Sequence, residues 1–141
     1  MKRKATAIWR GGLKDGKGNI STESGVLAQT QYSFGTRFES GVGTNPEELI
    51  AAAHAGCFAM AFSAELGKAG ITPEAIHATA TVTLDKTNAG WTITESHLDV
   101  TVKIPGADRS KVLGVANVAK LGCPISRLLN AKVTMDAILE K

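Results

Sequence analysis

The chain has 141 residues and a mass of 14.7 kDa, one domain's worth, and its 43% hydrophobic, 21% charged and 5% aromatic residues describe an aliphatic, alanine-rich globular core. That composition excludes disorder and collagen-like repeats. A formal charge of +3, from 16 Lys and Arg against 13 Asp and Glu spread along the chain, offers little for counterion-release binding, so no nucleic acid partner is expected.

The N-terminus, Met1-Lys-Arg-Lys-Ala-Thr-Ala-Ile-Trp-Arg, is charged but has no apolar stretch after it, so it does not read as a secretory signal; a cytoplasmic protein is expected. Alternation of Ala5, Ala7 and Trp9 with Thr6, Ile8 and Arg10, then Gly11-Gly12 and Asp15-Gly16, predicts an opening hairpin. Tyr32, Phe34 and Phe38 fall at period two, which predicts a strand with Arg37 on the face opposite the aromatics. At Thr44-Asn-Pro-Glu-Glu-Leu a helix begins, with Asn45 as cap, Pro46 at the first position and Glu48 placed for a capping box. Its stripe is read as Ile50, Ala53, Cys57, Met60, Ala61 and Ala64, ending near Gly67 to Gly70. The 14-residue apolar run Leu49 to Phe62 is short of the roughly 20 residues of a membrane span, so a buried helix and no membrane partner are expected.

Ile76, Ala78, Ala80, Val82 and Leu84 alternate with polar residues as a half-buried strand. After Asn88-Ala-Gly, Trp91 and Ile93 hold one phase and Leu98, Val100, Val102 and Ile104 the other, which a bulge near Glu95 to His97 reconciles. Asp108 caps a second helix containing Val112, Val115, Val118 and Ala119; Gly122 ends it, Cys123-Pro124 opens a short helical turn, and Lys132 to Leu139 alternates as a last strand. Strands, helix, two strands, helix, short helix and strand make an α+β domain.

Two cysteines are too few for a disulfide framework. From position alone Cys57 reads as a packing residue of an apolar helix. Cys123, at a helix start, meets unpaired N–H groups and the positive dipole end, which favour thiolate. His54 shares a face with Cys57 as a base for it or as a core histidine. The cysteines with His54, His77 and His97 form no metal-ligand spacing, and Gly41-Val-Gly43 lacks the third glycine of a dinucleotide loop, so neither metal nor cofactor is expected. Arg37 reads as a solvated strand charge and Glu47 as a first-turn acid.

The stretch Gly43-Thr-Asn-Pro-Glu-Glu-Leu-Ile-Ala-Ala-Ala-His-Ala-Gly-Cys-Phe-Ala-Met-Ala resembles the signature helix of the OsmC/Ohr family of thiol-dependent hydroperoxide reductases. Ser21-Thr-Glu-Ser-Gly-Val-Leu, Thr36-Arg-Phe-Glu, Leu84-Asp-Lys and Gly122-Cys-Pro-Ile-Ser are similar to the OsmC branch in the same order, so the resemblance covers nearly the whole chain. It implies one OsmC-like domain over residues 1–141, with antiparallel sheets packed around central helices in an intertwined homodimer. By the same resemblance Cys57 attacks an organic hydroperoxide, Cys123 resolves the product, Arg37 supports the thiolate and Glu47 orients Arg37. The implied reductant is a dithiol such as a lipoylated protein.

Glu47 and Cys57 stand ten residues apart, about 15 Å along one straight helix, so direct contact between them requires an offset first turn, a bend near Gly56 or long bridging side chains. Phe58, Met60 and Phe62 are expected to give Cys57 surroundings suited to alkyl or lipid hydroperoxides. The alternative is a non-enzymatic dimeric stress protein that binds a small ligand in an apolar interface pocket and uses its cysteines for packing.

Overall fold

A computed structural model describes residues 1–140. The elements run β1 (Ala5–Arg10), β2 (Lys17–Thr22), β3 (Thr30–Ser33), α1 (Phe34–Phe38), α2 (Pro46–Lys68), β4 (Ala75–Thr87), β5 (Gly90–Lys103), α3 (Arg109–Gly122), α4 (Pro124–Leu128) and β6 (Lys132–Glu140). The chain divides into two units, Met1–Leu49 and Ile50–Lys141, with α2 running through the boundary.

In the first unit, β1-β2-β3 form an antiparallel sheet that begins with the expected hairpin. The strand expected through Phe38 stops at Ser33. Ser33 caps the short helix α1: its hydroxyl accepts from Thr36 N–H while the Thr36 hydroxyl accepts from Ser33 N–H, a reciprocal capping box that ends the strand. Phe34 and Phe38 are then an i, i+4 pair on one helical face, ring centroids 4.9 Å apart, rather than a period-two strand pair. Beyond α1 the chain is pinned back to β3 by Thr44 N–H donating to Gln31 O at 2.9 Å. Gly43 precedes this bond with φ +141°, and a Cβ there would lie 2.6 Å from Gln31 O, so the close approach requires glycine. Asn45 caps α2, its Oδ1 accepting from Glu48 N–H at 2.8 Å and its Nδ2 donating to Thr36 O at 3.1 Å, which ties the helix start to α1.

In the second unit, β4-β5-β6 form a sheet with β5 in the centre. The β4–β5 register shifts so that Thr83 faces Glu95 and Leu84 faces Ile93, leaving Thr94 as the extra residue, beside the bulge read from the change of phase. β6 pairs with β5 in parallel, a departure from the all-antiparallel expectation. The connection through α3 and α4 is a helical crossover, which returns the chain to the starting end of its neighbour. Ser96, Leu98, Val100 and Val102 are the buried face of β5, and with Phe58, Phe62, Leu66, Val112, Ala116, Ala119 and Cys123 they line the core.

The α2 stripe also differs from expectation: the buried row is His54, Phe58, Phe62 and Leu66, while Met60 is 77% exposed. Alanines surround the whole helix, so hydropathy gave it no clear phase; the large rings take the core, where each fully buried Phe or Leu contributes about 1.5–3 kcal/mol. The helix has 23 residues, more than the apolar run alone, and by length and composition it could cross a membrane. Its end follows the expected glycines: Gly70 takes φ +74° while Ile71 N–H donates to Leu66 O at 2.9 Å. Asp108 caps α3 by accepting from Lys111 N–H at 2.7 Å, and Val118 points out where Ala116 and Ala119 point in.

Candidate active site

The first unit brings Arg37 and Glu47 together. Arg37 Nε donates to both Glu47 oxygens at 3.1 and 3.2 Å and Nη2 to Oε1 at 2.7 Å, a fork that fixes the guanidinium plane and leaves Nη1 unengaged by the carboxylate. Its carbon lies 5.3 Å from the Phe38 ring centroid, so Arg37 stands on the aromatic side of α1 and not opposite it, because the segment is helical. Arg37 is 38% exposed and Glu47 11%. Beside them Trp9, Leu13, Tyr32, Phe34, Phe38 and Pro46 line a cleft of about 280 Å³. The apolar walls of the first unit are therefore at Arg37. Phe58 and Phe62, expected to form such walls at Cys57, are closed into the core instead.

The second unit brings the two thiols together across 66 positions: Cys123 Sγ and Cys57 Sγ are 3.0 Å apart, both free, with Cys57 half-buried and Cys123 fully buried. Cys57 projects from α2. Cys123 is at once the C-cap of α3 and the N-cap of α4, where Pro124 occupies the first helical position. Burial pushes the Cys57 thiol up, and the shared hydrogen bond with Cys123 adds to the rise. Burial also raises Cys123, but the Cys57 hydrogen bond, the N–H groups of Ser126 and Ile125 and the Ser126 hydroxyl outweigh it and bring that thiol down.

His54 is fully buried and both ring nitrogens are engaged, Nδ1 with Ser96 Oγ at 2.7 Å and Nε2 with Ser126 Oγ at 2.8 Å. It is a core histidine and has no nitrogen left to serve Cys57 as a base. Burial lowers its pKa, so the ring is neutral. Sequence reading gave Ser96 and Ser126 no role: Ser126 lies 72 positions from His54, and only the fold makes them neighbours. His97 forms a further cluster on the other face of β5, where Nε2 stands 3.5 Å from Asp99 and 3.4 Å from Asp136 on β6, while Nδ1 meets the Thr134 hydroxyl at 2.6 Å.

Three comparisons bear on this arrangement. The family model described as OsmC-like protein matches residues 39–137. The chain is 54% identical to Peroxiredoxin OsmC of Escherichia coli (strain K12) over 134 residues, 95% of this chain and 94% of that protein. It is 30% identical to Organic hydroperoxide resistance protein OhrB of Bacillus subtilis (strain 168) over 87% of this chain and 89% of that one. The crystal structure of B. subtilis OhrB superposes with a TM-score of 0.69 at 26% identity, covering 97% of this chain and 98% of the other. An OsmC-like protein of unknown function from Vibrio cholerae, at 18% identity and a TM-score of 0.77 over 98% and 99% of the two chains, shares the fold.

Proposed function

The chain belongs to the OsmC family, and on that premise we propose that it is a cysteine-based peroxidase that reduces organic hydroperoxides to alcohols. The observation that carries the reading is the 3.0 Å approach of the two free thiols. Cys57 thiolate attacks the distal peroxide oxygen; the O–O bond breaks, the alkoxide leaves and takes a proton to become the alcohol, and Cys57 becomes a sulfenic acid. Cys123 then attacks that sulfur, a disulfide forms, and the hydroxyl leaves as water with the Cys123 proton. An external dithiol, such as a lipoylated protein, returns both thiols and is itself oxidised to a disulfide.

Arg37, held by Glu47, is the cation in this reading. Since burial raises the Cys57 thiol, a cation at Cys57 is what favours the thiolate on the attacking sulfur. Pro46, Glu47 and Glu48 belong to the helix that also carries Cys57, which disfavours the offset first turn as the route between them. We assign the site to the interface of a homodimer, where the Arg37–Glu47 and Cys57–Cys123 pairs of two subunits meet. The face of α2 that carries Ala52, Ala53, Gly56 and Met60 is open and mostly small, as a helix approached closely by another chain requires. Within such a dimer both units work as one domain of a cytoplasmic protein. The aromatic cleft beside Arg37 suits an alkyl or lipid hydroperoxide better than hydrogen peroxide.

The test is intact mass after mixing reduced protein with one equivalent of an organic hydroperoxide. Loss of two hydrogens, abolished in Cys57→Ser, is expected. Unchanged thiols would overturn the peroxidase reading and favour a ligand-binding protein with packing cysteines.

A further inference from the structure

The chemistry proposed for the thiols makes no use of the His97 cluster. His97 and Asp99 alternate along β5 with the buried Ser96, Leu98 and Val100, so both project from the face turned away from the core. The parallel ladder sets Asp136 of β6 opposite Asp99 and Thr134 opposite His97. Two carboxylates placed directly opposite repel each other. The ladder positions beside them on β4, Thr79 and Thr81, supply no positive charge. One ligand atom from each of His97, Asp99 and Asp136 lies within 4.8 Å of the other two.

The far side of the ring fixes its orientation. Thr134 has one hydroxyl proton and gives it to Glu95 Oε1 at 2.7 Å, since a carboxylate only accepts. His97 Nδ1, 2.6 Å from the same hydroxyl oxygen, is therefore the donor in that contact. In a neutral ring this turns the Nε2 lone pair toward Asp99 at 3.5 Å and Asp136 at 3.4 Å. Three electron-pair donors then face one another, an arrangement that calls for a cation. Their spacing separates a proton from a metal ion. A charged N–H···O bond closes to about 2.7–2.9 Å. Ligand atoms held at about 2.0–2.2 Å from a tetrahedral zinc ion stand about 3.3–3.6 Å from one another, the edge of the tetrahedron.

We propose that His97 Nε2, Asp99 and Asp136 form a binding site for a divalent transition-metal cation of the zinc class, with water in the fourth position. Zinc accepts imidazole nitrogen and carboxylate oxygen together, and two carboxylates balance its charge. Thr134 and Glu95 are positioning residues: they hold the proton on Nδ1 and leave Nε2 to the metal, as the outer partners of metal-bound histidines do. The ligands come from β5 and β6, so the ion fastens the parallel pair across the strands. Ligand spacing among the cysteines and histidines missed this site because the two aspartates join His97 only through strand alternation and register.

The experiment is a titration of the reduced protein with zinc sulfate at neutral pH, followed by nitrogen NMR of the imidazoles. An equimolar amount is expected to shift His97 Nε2 while His54 and His77 stay unchanged. Because thiols also hold zinc, stoichiometry is measured on Cys57→Ser/Cys123→Ser against a colorimetric chelator, and one zinc per chain should remain. In that background Asp136→Asn is expected to weaken binding at least about tenfold and Thr134→Val about tenfold. About a hundredfold excess of magnesium, which prefers six oxygen ligands, should not displace the zinc. Unmoved His97 signals, or no zinc on the folded double variant, overturn the site and leave a protonated ion pair. An affinity unchanged in Asp136→Asn overturns it as well, and one unchanged in Thr134→Val overturns the orienting role of Thr134 and Glu95. The NMR reading depends on no variant, and no peroxide takes part, so the outcome is independent of the peroxidase reading.

Discussion

Two pairs of this molecule, Arg37–Glu47 and Cys57–Cys123, are built on opposite plans. Arg37 and Glu47 come from residues ten apart, join through three hydrogen bonds and remain open to water on the arginine side. Cys57 and Cys123 come from residues 66 apart, share one hydrogen bond and sit against a core in which His54 and its serines are already satisfied. An ion pair open to water contributes little to stability, typically about 0–1 kcal/mol, so under the proposed function the Arg37 fork serves the hydroperoxide site more than the fold. The thiols are placed by the same packing that stabilises their unit, and their environment is therefore inherited from the core. If the proposed function holds, the contrast separates a part whose loss costs chemistry from a part whose loss costs chemistry and fold together.

Experiments can break that contrast at several levels. The largest expected effect is on turnover: Cys57→Ser should lower hydroperoxide consumption by at least about a thousandfold in a stopped-flow or end-point assay, the scale on which loss of a nucleophile acts. Glu47→Gln, which keeps shape and removes the carboxylate charge, should slow the first step roughly tenfold with little change in the unfolding midpoint; equal losses of rate and stability would show that the pair is structural. Gly43→Ala should cost about 1–3 kcal/mol in chemical denaturation, since the residue has positive φ and a neighbouring carbonyl in its way, and should reduce activity through the displaced Glu47. The smallest effect is a pH slope. The folded His54 pKa lies below its ordinary 6.5, so between the two values the unfolded chain binds more protons. Stability from this group is complete above 6.5 and is lost as pH falls toward the folded value, and His54→Gln should flatten that part of the denaturation profile.

What could be read in the sequence was what neighbours in the chain decide. The Asn45 and Asp108 caps, the Gly70 stop, the alternation of β4 and the extra residue of β5 all depend on residues within one or two turns of each other. α1 escaped because Phe34 and Phe38 satisfy both a two-residue and a four-residue spacing, and only the Ser33–Thr36 capping box separates the two. The α2 phase escaped because alanine is indifferent to burial; the rows of Phe and Leu had to be preferred over the cysteine's own stripe. The parallel β6, the meeting of the thiols and the partnership of His54 with Ser96 and Ser126 depend on tertiary contacts. Resemblance anticipated that the cysteines would meet; Ser126 lay within the quoted Gly122-Cys-Pro-Ile-Ser motif but nothing there pointed to His54, and Ser96 carried no local signal.

Cys123 belongs to two helices at once. Its N–H donates to Ala119 O at 2.8 Å as the last bond of α3, and its carbonyl accepts from Arg127 N–H at 3.0 Å as the first bond of α4. The residue is thus clamped on both sides, and any backbone shift there would fray two helix ends together. Since the sulfurs already touch, the thiol–disulfide cycle of the proposed function can be run by side-chain torsion with the junction left standing. The amides around residue 123 should then exchange with deuterium at the same slow rate in the thiol and disulfide states, making this a switch with no local unfolding step and a turnover not limited by refolding.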